Sequence, residues 1–157
     1  MGWAPYVITA TSGGLTTATN AYVTGNQLGT EITLTAAAAG NNGHGAIVGV
    51  ELIDYANIVG AIDVLLFSDT TTPAADRAAA AWSDADSNKS IAGTPITLPG
   101  PTSLTNNRIS GVGNIWIPYQ SGSSHANLYC DLITRSGHTF FGAVTDLHLT
   151  INVMRFS

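Results

Sequence analysis

The sequence predicts an all-β protein, an antiparallel β-sandwich of jelly-roll or Greek-key-like type with about 8–9 strands. Three observations predict it. Short apolar runs rich in β-branched residues recur along the chain, several alternating with period two. Clusters of Gly, Asn, Ser, Thr and Pro separate them. Nothing repeats the strand-then-helix rhythm that a parallel sheet requires. At 157 residues the chain has the length of one domain and can bury a core without disulfides. The expected organisation is an N-terminal arm or strand over residues 1–20 and a single β-sandwich domain over 21–157.

Taken in order, Tyr6–Thr11 reads as a short strand, and the Thr/Ala/Asn-rich stretch to Asn20 as an arm or loop. Gly25 and Gly29 mark a turn. Gly29–Ala37 then sets Ile32, Leu34 and Ala36 against Glu31, Thr33 and Thr35, the pattern of a half-buried strand. A loop, AAGNNGHG, precedes the most apolar part of the chain. Ala46–Ile53 and Ile62–Phe67 are apolar on both faces, which predicts central strands covered on both sides. In the first, alternation places Val48, Val50 and Leu52 on one face and Ile47, Gly49, Glu51 and Ile53 on the other.

One short α-helix is expected near 73–82. Thr72 and Pro73 stand at N-cap and N1, Asp76 lies in the first turn, and an alanine run follows. Ser83–Asp84 should end it. Ile91–Leu98 reads as a strand in which Pro95 marks an edge or a bulge. Pro99–Arg108 reads as a loop, and Gly113–Tyr119 and His125–Arg135 as strands. Val144–Phe156 has the cleanest alternation, with Leu147, Leu149, Ile151 and Val153 against Asp146, His148, Thr150 and Asn152.

Composition narrows function. Charged residues make up 10% of the chain, well below the roughly 25% of ordinary soluble proteins. The exposed surface is therefore Thr, Ser, Asn, Gly and Ala, which resists association poorly and favours an oligomer or an assembly component. The net charge is −5, and Arg77, Lys89, Arg108, Arg135 and Arg155 are scattered. Without a basic patch the phosphate-neutralising attraction is missing, so neither nucleic acid nor an anionic membrane is an expected partner. Cys130, the single cysteine, alternates onto a face with Leu128 and Leu132 and reads as a buried structural thiol. No apolar run reaches the roughly 18 residues of a membrane helix.

Candidate chemistry is sparse. Asp84-Ala85-Asp86-Ser87-Asn88 opens like a calcium loop, but Lys89 and Pro95 stand where Gly and Glu are needed. It reads as a solvated turn whose Asp side chains bond backbone N–H groups. His44, His125, His138 and His148 have no ligand spacing within one element. No nucleophile elbow and no phosphate-cradling glycine loop are present. Trp3, Trp82, Trp116, Tyr119 and Tyr129 are aromatic enough to line a sugar-binding face, although such residues more often serve core or interface. No catalytic residue, no metal and no cofactor is expected.

Three segments carry a family resemblance. They are Tyr22–Thr30 (YVTGNQLGT) before a Thr-rich strand, Asp63–Phe67 (DVLLF) before Thr-Pro-Ala-Ala-Asp, and Trp82–Asp86 (WSDAD) leading to Ile91. In this order the chain resembles small β-rich structural proteins of tailed-bacteriophage head modules, the capsid decoration or cement proteins. The resemblance covers roughly residues 21 to 98, and its motifs are structural. It implies a non-enzymatic virion protein on the capsid surface, made in the host cytoplasm. Its partners would be the major capsid protein and itself, as a homotrimer. Interface candidates, for capsid or oligomer, are Trp3, Tyr6, Tyr22, Trp82, Trp116 and Tyr119, with Trp3–Asn20 as a capsid-gripping arm. The alternative is a glycan- or receptor-binding module of a head or tail fibre, using loops 99–108 and 120–125.

Overall fold

A computed structural model describes residues 3–10, 20–56, 60–99, 102–103, 106–137 and 146–156; for 3–10 and 102–103 it describes the backbone alone. Nine strands and one helical turn lie in them: β1 Trp3–Ala10, β2 Ile32–Leu34, β3 His44–Asp54, β4 Ile62–Phe67, α1 Asp84–Ser87, β5 Ile96–Leu98, β6 Thr102–Ser103, β7 Arg108–Gln120, β8 Leu128–Thr134 and β9 Leu147–Phe156. They form a five-stranded sheet of order β1-β9-β3-β7-β6 and a four-stranded sheet of order β2-β8-β4-β5.

The pairing defines the fold as a jelly roll. With the two-residue β6 set aside, the first strand pairs the last, β2 pairs β8, β3 pairs β7 and β4 pairs β5, all antiparallel. This is a long hairpin rolled up, and it closes through β9 on β3 and β8 on β4. β3 and β4, neighbours in sequence, therefore belong to opposite sheets. Each is internal in its sheet; the expected cover on both faces is found for β4, under residues 68–91, but not for β3, whose outer face leaves Glu51 exposed and Val48 and Ile53 half-buried.

Between the sheets, alternation supplies the core. Ile62, Val64 and Leu66 of β4 meet Leu128, Cys130 and Leu132 of β8, facing Ile47, Val50, Leu52, Leu149, Ile151 and Val153 of the other sheet. Cys130 is fully buried among them, and burial pushes its thiol well above the ordinary range. Residue parity fails in one place. The β3 register slips between Ile47 and Gly49, and β7 takes up the slack around Asn114, at φ +55°. Ile47 thus joins Val50 and Leu52 in the core, and Val48 is left half-buried at the bulge. The face assignment that alternation alone gives to β3 is wrong by this one residue.

The helix is the main correction. Residues 71–83 are not helical; α1 starts where the predicted helix should end. The alanine run instead lies extended beside residues 25–27. Gln27 N–H donates to Ala78 O at 2.9 Å, Arg77 N–H to Gln27 O at 2.9 Å and Ala80 N–H to Gly25 O at 2.9 Å. Asp76, expected at a helix dipole, accepts from the Tyr22 hydroxyl at 2.8 Å and Gly29 N–H at 2.6 Å. Pairing across the chain satisfies the backbone donors that a helix would have used, and it outweighs alanine's propensity. Ser83 caps α1, its Oγ accepting from Asp86 N–H at 3.1 Å.

Other boundaries move for local reasons. β2 is shorter than Gly29–Ala37 because Gly29 is tied to Asp76, and Ala36 turns at φ +54° while donating to Asn127 Oδ1 at 3.0 Å. Residues 91–95 form a turn, and only then does β5 run along the sheet edge, directly after Pro95. β7 begins at Arg108, five residues before the expected start at Gly113, and the expected 99–108 loop holds β6. The segment read as an arm begins with β1, whose register sets Trp3 opposite Phe156 and Tyr6 opposite Val153. Residues 11–19, His138 and Val144 lie outside the described residues.

Candidate functional site

The two outer faces of the sandwich differ. Residues 68–91 lie across the outside of the four-stranded sheet as a strap. There the outward phases of β4 and β8 present Leu65, Phe67, Tyr129, Asp131 and Ile133. Trp82 lies over Phe67, with ring centroids 6.0 Å apart, and its indole N–H donates to Asp131 Oδ2 at 2.8 Å. Glu31 holds the start of the strap. Its carboxylate accepts from Thr70 Oγ1 at 2.7 Å, Thr71 N–H at 2.6 Å and Thr71 Oγ1 at 2.7 Å.

A histidine–carboxylate contact and a lysine–carboxylate ion pair fasten the rest. Asp69 meets His125 Nε2 at 3.0 Å, and Asp86 meets Lys89 Nζ at 2.8 Å. The hydrogen bond from His125 holds the Asp69 carboxyl below its usual range. Those from Lys89 and then Ser83 do the same for Asp86. The Asp84–Asn88 segment is thus a capped helical turn with Asp86 as its inward anchor, where a solvated turn was expected. Among the described residues no group of three or more His, Cys, Asp or Glu is placed to share a metal ion. Between strap and β5 remains a groove of about 310 Å³, lined by Leu65, Trp82, Pro95 and Ile133 and closed by the Arg135–Asp63 pair at 2.5 Å.

Among the described residues no such strap crosses the central part of the five-stranded sheet. Its outward phase carries Glu51 and Ile53 from β3, Ile109 and Trp116 from β7, and Thr150, Asn152, Met154 and Phe156 from β9. Trp116 is 55% exposed and stacks on Phe156, with centroids 6.3 Å apart and planes 26° from parallel. Ile109 is exposed as well, and beyond it Tyr55 meets His148 edge-on at 5.0 Å. Where β3 and β7 bulge, Gly49, Gly111 and Gly113 leave a groove of about 510 Å³ with Glu51, Asn152 and Met154 on its walls. Glu51 is the one Asp, Glu, Lys or Arg among the described outward residues of β3, β7 and β9.

Against this geometry the six aromatic interface candidates separate. Trp116 stands on the bare face. Trp82 stands half-buried on the opposite outer face, so the sandwich keeps these two apart. Tyr22 and Tyr119 are 2% and 5% exposed and belong to the core, so neither presents a surface. Tyr119 donates a short hydrogen bond to Ala37 O, and burial raises its hydroxyl to about 12. Trp3 and Tyr6 lie on β1 at the edge of the bare face's sheet, and only their backbone is described. Met154, Phe156, Ile109 and Tyr55 were missed. Met154 and Phe156 had a signal: the even positions of β9 are polar to Asn152 and then turn apolar.

No protein-family model and no curated protein matches the chain. Among solved structures it is similar to a chain of one described as "KBV activated particle at acidic pH", at 11% identity, over 98% of this chain and 68% of that one, with a TM-score of 0.34. A likeness that loose carries no argument here. What its own pairing defines is a class: an all-β jelly-roll protein with one outer face strapped and the other, among the described residues, bare.

Proposed function

We propose that the chain is a non-enzymatic structural protein of a virus particle, a capsid decoration or cement protein of the tailed-phage kind. It docks on the outside of the assembled major-capsid-protein shell and adds buried area at the joints between shell subunits. The observation that carries this reading is the bare face of the five-stranded sheet. An exposed Trp116–Phe156 stack with Ile109 and Met154 around a single carboxylate suits a flat protein partner better than solvent. The low overall charge supports it, since weakly charged surfaces associate readily. Self-association as a trimer belongs to the same reading.

Cryo-electron microscopy of the native particle tests it. Density for this fold on the icosahedral lattice, with the Trp116 face toward the shell, is the expected result. Density on a fibre, or none, overturns it.

A second reading, a glycan-binding fibre module, has one observation in its favour: Trp116 shares its face with Asn152 and Glu51, which suit sugar hydroxyls. Glycan-array binding lost on Trp116→Ala, with the chain absent from the shell, is its signature.

A further inference from the structure

Beneath the strap, Thr71 Oγ1 stands between two carboxylates, 2.7 Å from Glu31 Oε2 and 3.2 Å from Asp131 Oδ2. A hydroxyl has one proton to give. If both carboxyls are ionised, one of the two contacts sets an oxygen lone pair against an anion. The other side of Asp131 poses a matching problem. Gln27 is fully buried, with Nε2 at 3.5 Å from Asp131 Oδ1, a poor hydrogen bond, and its Oε1 has no partner among the described residues. A half-turn of the amide brings Oε1 to the same carboxyl, where an oxygen is stable only against an O–H.

One proton eases both contacts. On Asp131 Oδ1 it donates to Gln27 Oε1. Oδ2 is then an uncharged carbonyl oxygen that accepts the Trp82 N–H, and Thr71, donating to Glu31, no longer sets its lone pair against an anion. We propose that Asp131 is a neutral carboxylic acid in the folded protein, and that its ionisation loosens the 68–91 strap from the four-stranded sheet.

The surroundings agree. Burial raises the Asp131 carboxyl and the neighbouring Glu31 adds to it, against lowering by hydrogen bonds from Trp82, Thr71 and Gln27. Asp69 and Asp86 on the strap are engaged by His125 and Lys89. Lys89 Nζ is also bonded to Thr70 O, at 2.6 Å. β4 opposes Asp131 with Leu65, Tyr129 and Cys130 flank it on β8, and Asp63 is paired to Arg135. None of these supplies Asp131 with a cation. A carboxyl whose folded value is raised contributes stability that is full below its unfolded value and is lost as pH rises through the folded one. The Asp131 contribution to holding the strap is therefore full in acid and lost as pH rises, opposite in sign to those of Asp69 and Asp86.

Carboxyl 13C NMR of the full chain, with Trp82 followed by its indole N–H resonance, tests this. Asp131 is expected to titrate above the ordinary 3.8, with the Trp82 resonance moving at the same midpoint. Asp131→Asn keeps a neutral side chain and is expected to hold that resonance flat with pH. Titration of Asp131 at or below 3.8, or an Asp131→Asn protein whose Trp82 still moves with pH, overturns the proposal. Should that variant fail to fold, Glu31→Gln removes the neighbouring anion and must lower the Asp131 midpoint; an unchanged midpoint overturns the proposal. So does a midpoint lowered by calcium and restored by a chelator, which assigns the cluster to a cation.

Discussion

Trp82 donates its indole N–H to the buried Asp131 at 2.8 Å, and this bond joins the strap to the middle of β8. The two residues are 49 positions apart in the chain. Their contact converts an alanine-rich segment with no apolar anchor of its own into an ordered cover over Phe67.

Trp82→Phe keeps most of the ring packing on Phe67 and removes the donor. A buried acceptor that loses its partner costs about 1–3 kcal/mol. Urea unfolding should show that loss as a lower midpoint with an unchanged slope. A change below about 0.5 kcal/mol, the range of ordinary surface substitutions, would mean that Asp131 is satisfied without Trp82.

Ser83→Ala removes the side-chain acceptor of Asp86 N–H at the start of α1. Loss of such a cap costs about 1 kcal/mol, read as a lowered Tm. Ser83→Thr, which keeps both the acceptor for Asp86 N–H and the donor to Asp86 Oδ2, should recover most of it.

Gly45→Ala tests the close approach of β3 to its neighbours. A Cβ built there meets the Tyr119 ring and hydroxyl and comes within 2.6 Å of Met154 O, which is backbone and cannot move aside cheaply. Overpacking of this kind costs about 1–3 kcal/mol. Tyr119→Phe should cost about 1 kcal/mol through the lost bond to Ala37 O. Because Gly45 strikes that same side chain, the double variant should fall short of the sum.

The acid limb of stability belongs to different carboxyls from Asp131. Asp69 and Asp86 are both lowered in the folded protein, so their contributions are present above the unfolded value of 3.8 and fade as pH falls through the lowered values. Asp69→Asn should flatten the pH dependence of Tm below about pH 4. A full-sized acid limb in that variant would remove the His125–Asp69 pair from the account.

Trp116→Ala separates fold from docking. The ring is more than half exposed, so Tm should move by no more than a degree or two, in line with surface substitutions of about 0.5 kcal/mol. Occupancy on capsid particles, measured by sedimentation with shells, should drop at least tenfold if the Trp116 face is the docking surface. Wild-type occupancy would move the interface elsewhere.

Much of the fold was legible along the chain, because period-two alternation reports which residues face a core whatever the strand's partner. Ile62–Phe67 lies at its observed bounds, and Leu147–Val153, Cys130 and the internal position of β3 and β4 follow from the same signal. The bulge was not legible: Val48 looks like its neighbours, and only the register with β7 and β9, far along the chain, moves Ile47 into the core. Of the bare face, Trp116 was named from its type. Phe156, its stacking partner, was hidden at the end of an otherwise polar phase. Asp131 had a visible signal, a carboxylate inside the apolar run LYCDLIT, but not its meaning.

By itself the sequence determined an all-β sandwich with low charge and a surface suited to association, since composition and alternation are local properties. The tertiary structure decided what residues 71–88 do. Thr-Pro-Ala-Ala-Asp has the propensity of a helix start, yet the Asp76 carboxylate and the N–H groups of Arg77 and Ala80 just after it find partners in residues 22–29, which β8 positions. Propensity differences of a few tenths of a kcal/mol per residue are outweighed by the three backbone bonds to residues 25–27 together with the two that Asp76 accepts. The chain therefore builds a strap where a helix was written, and places its one helical turn at Asp84–Ser87.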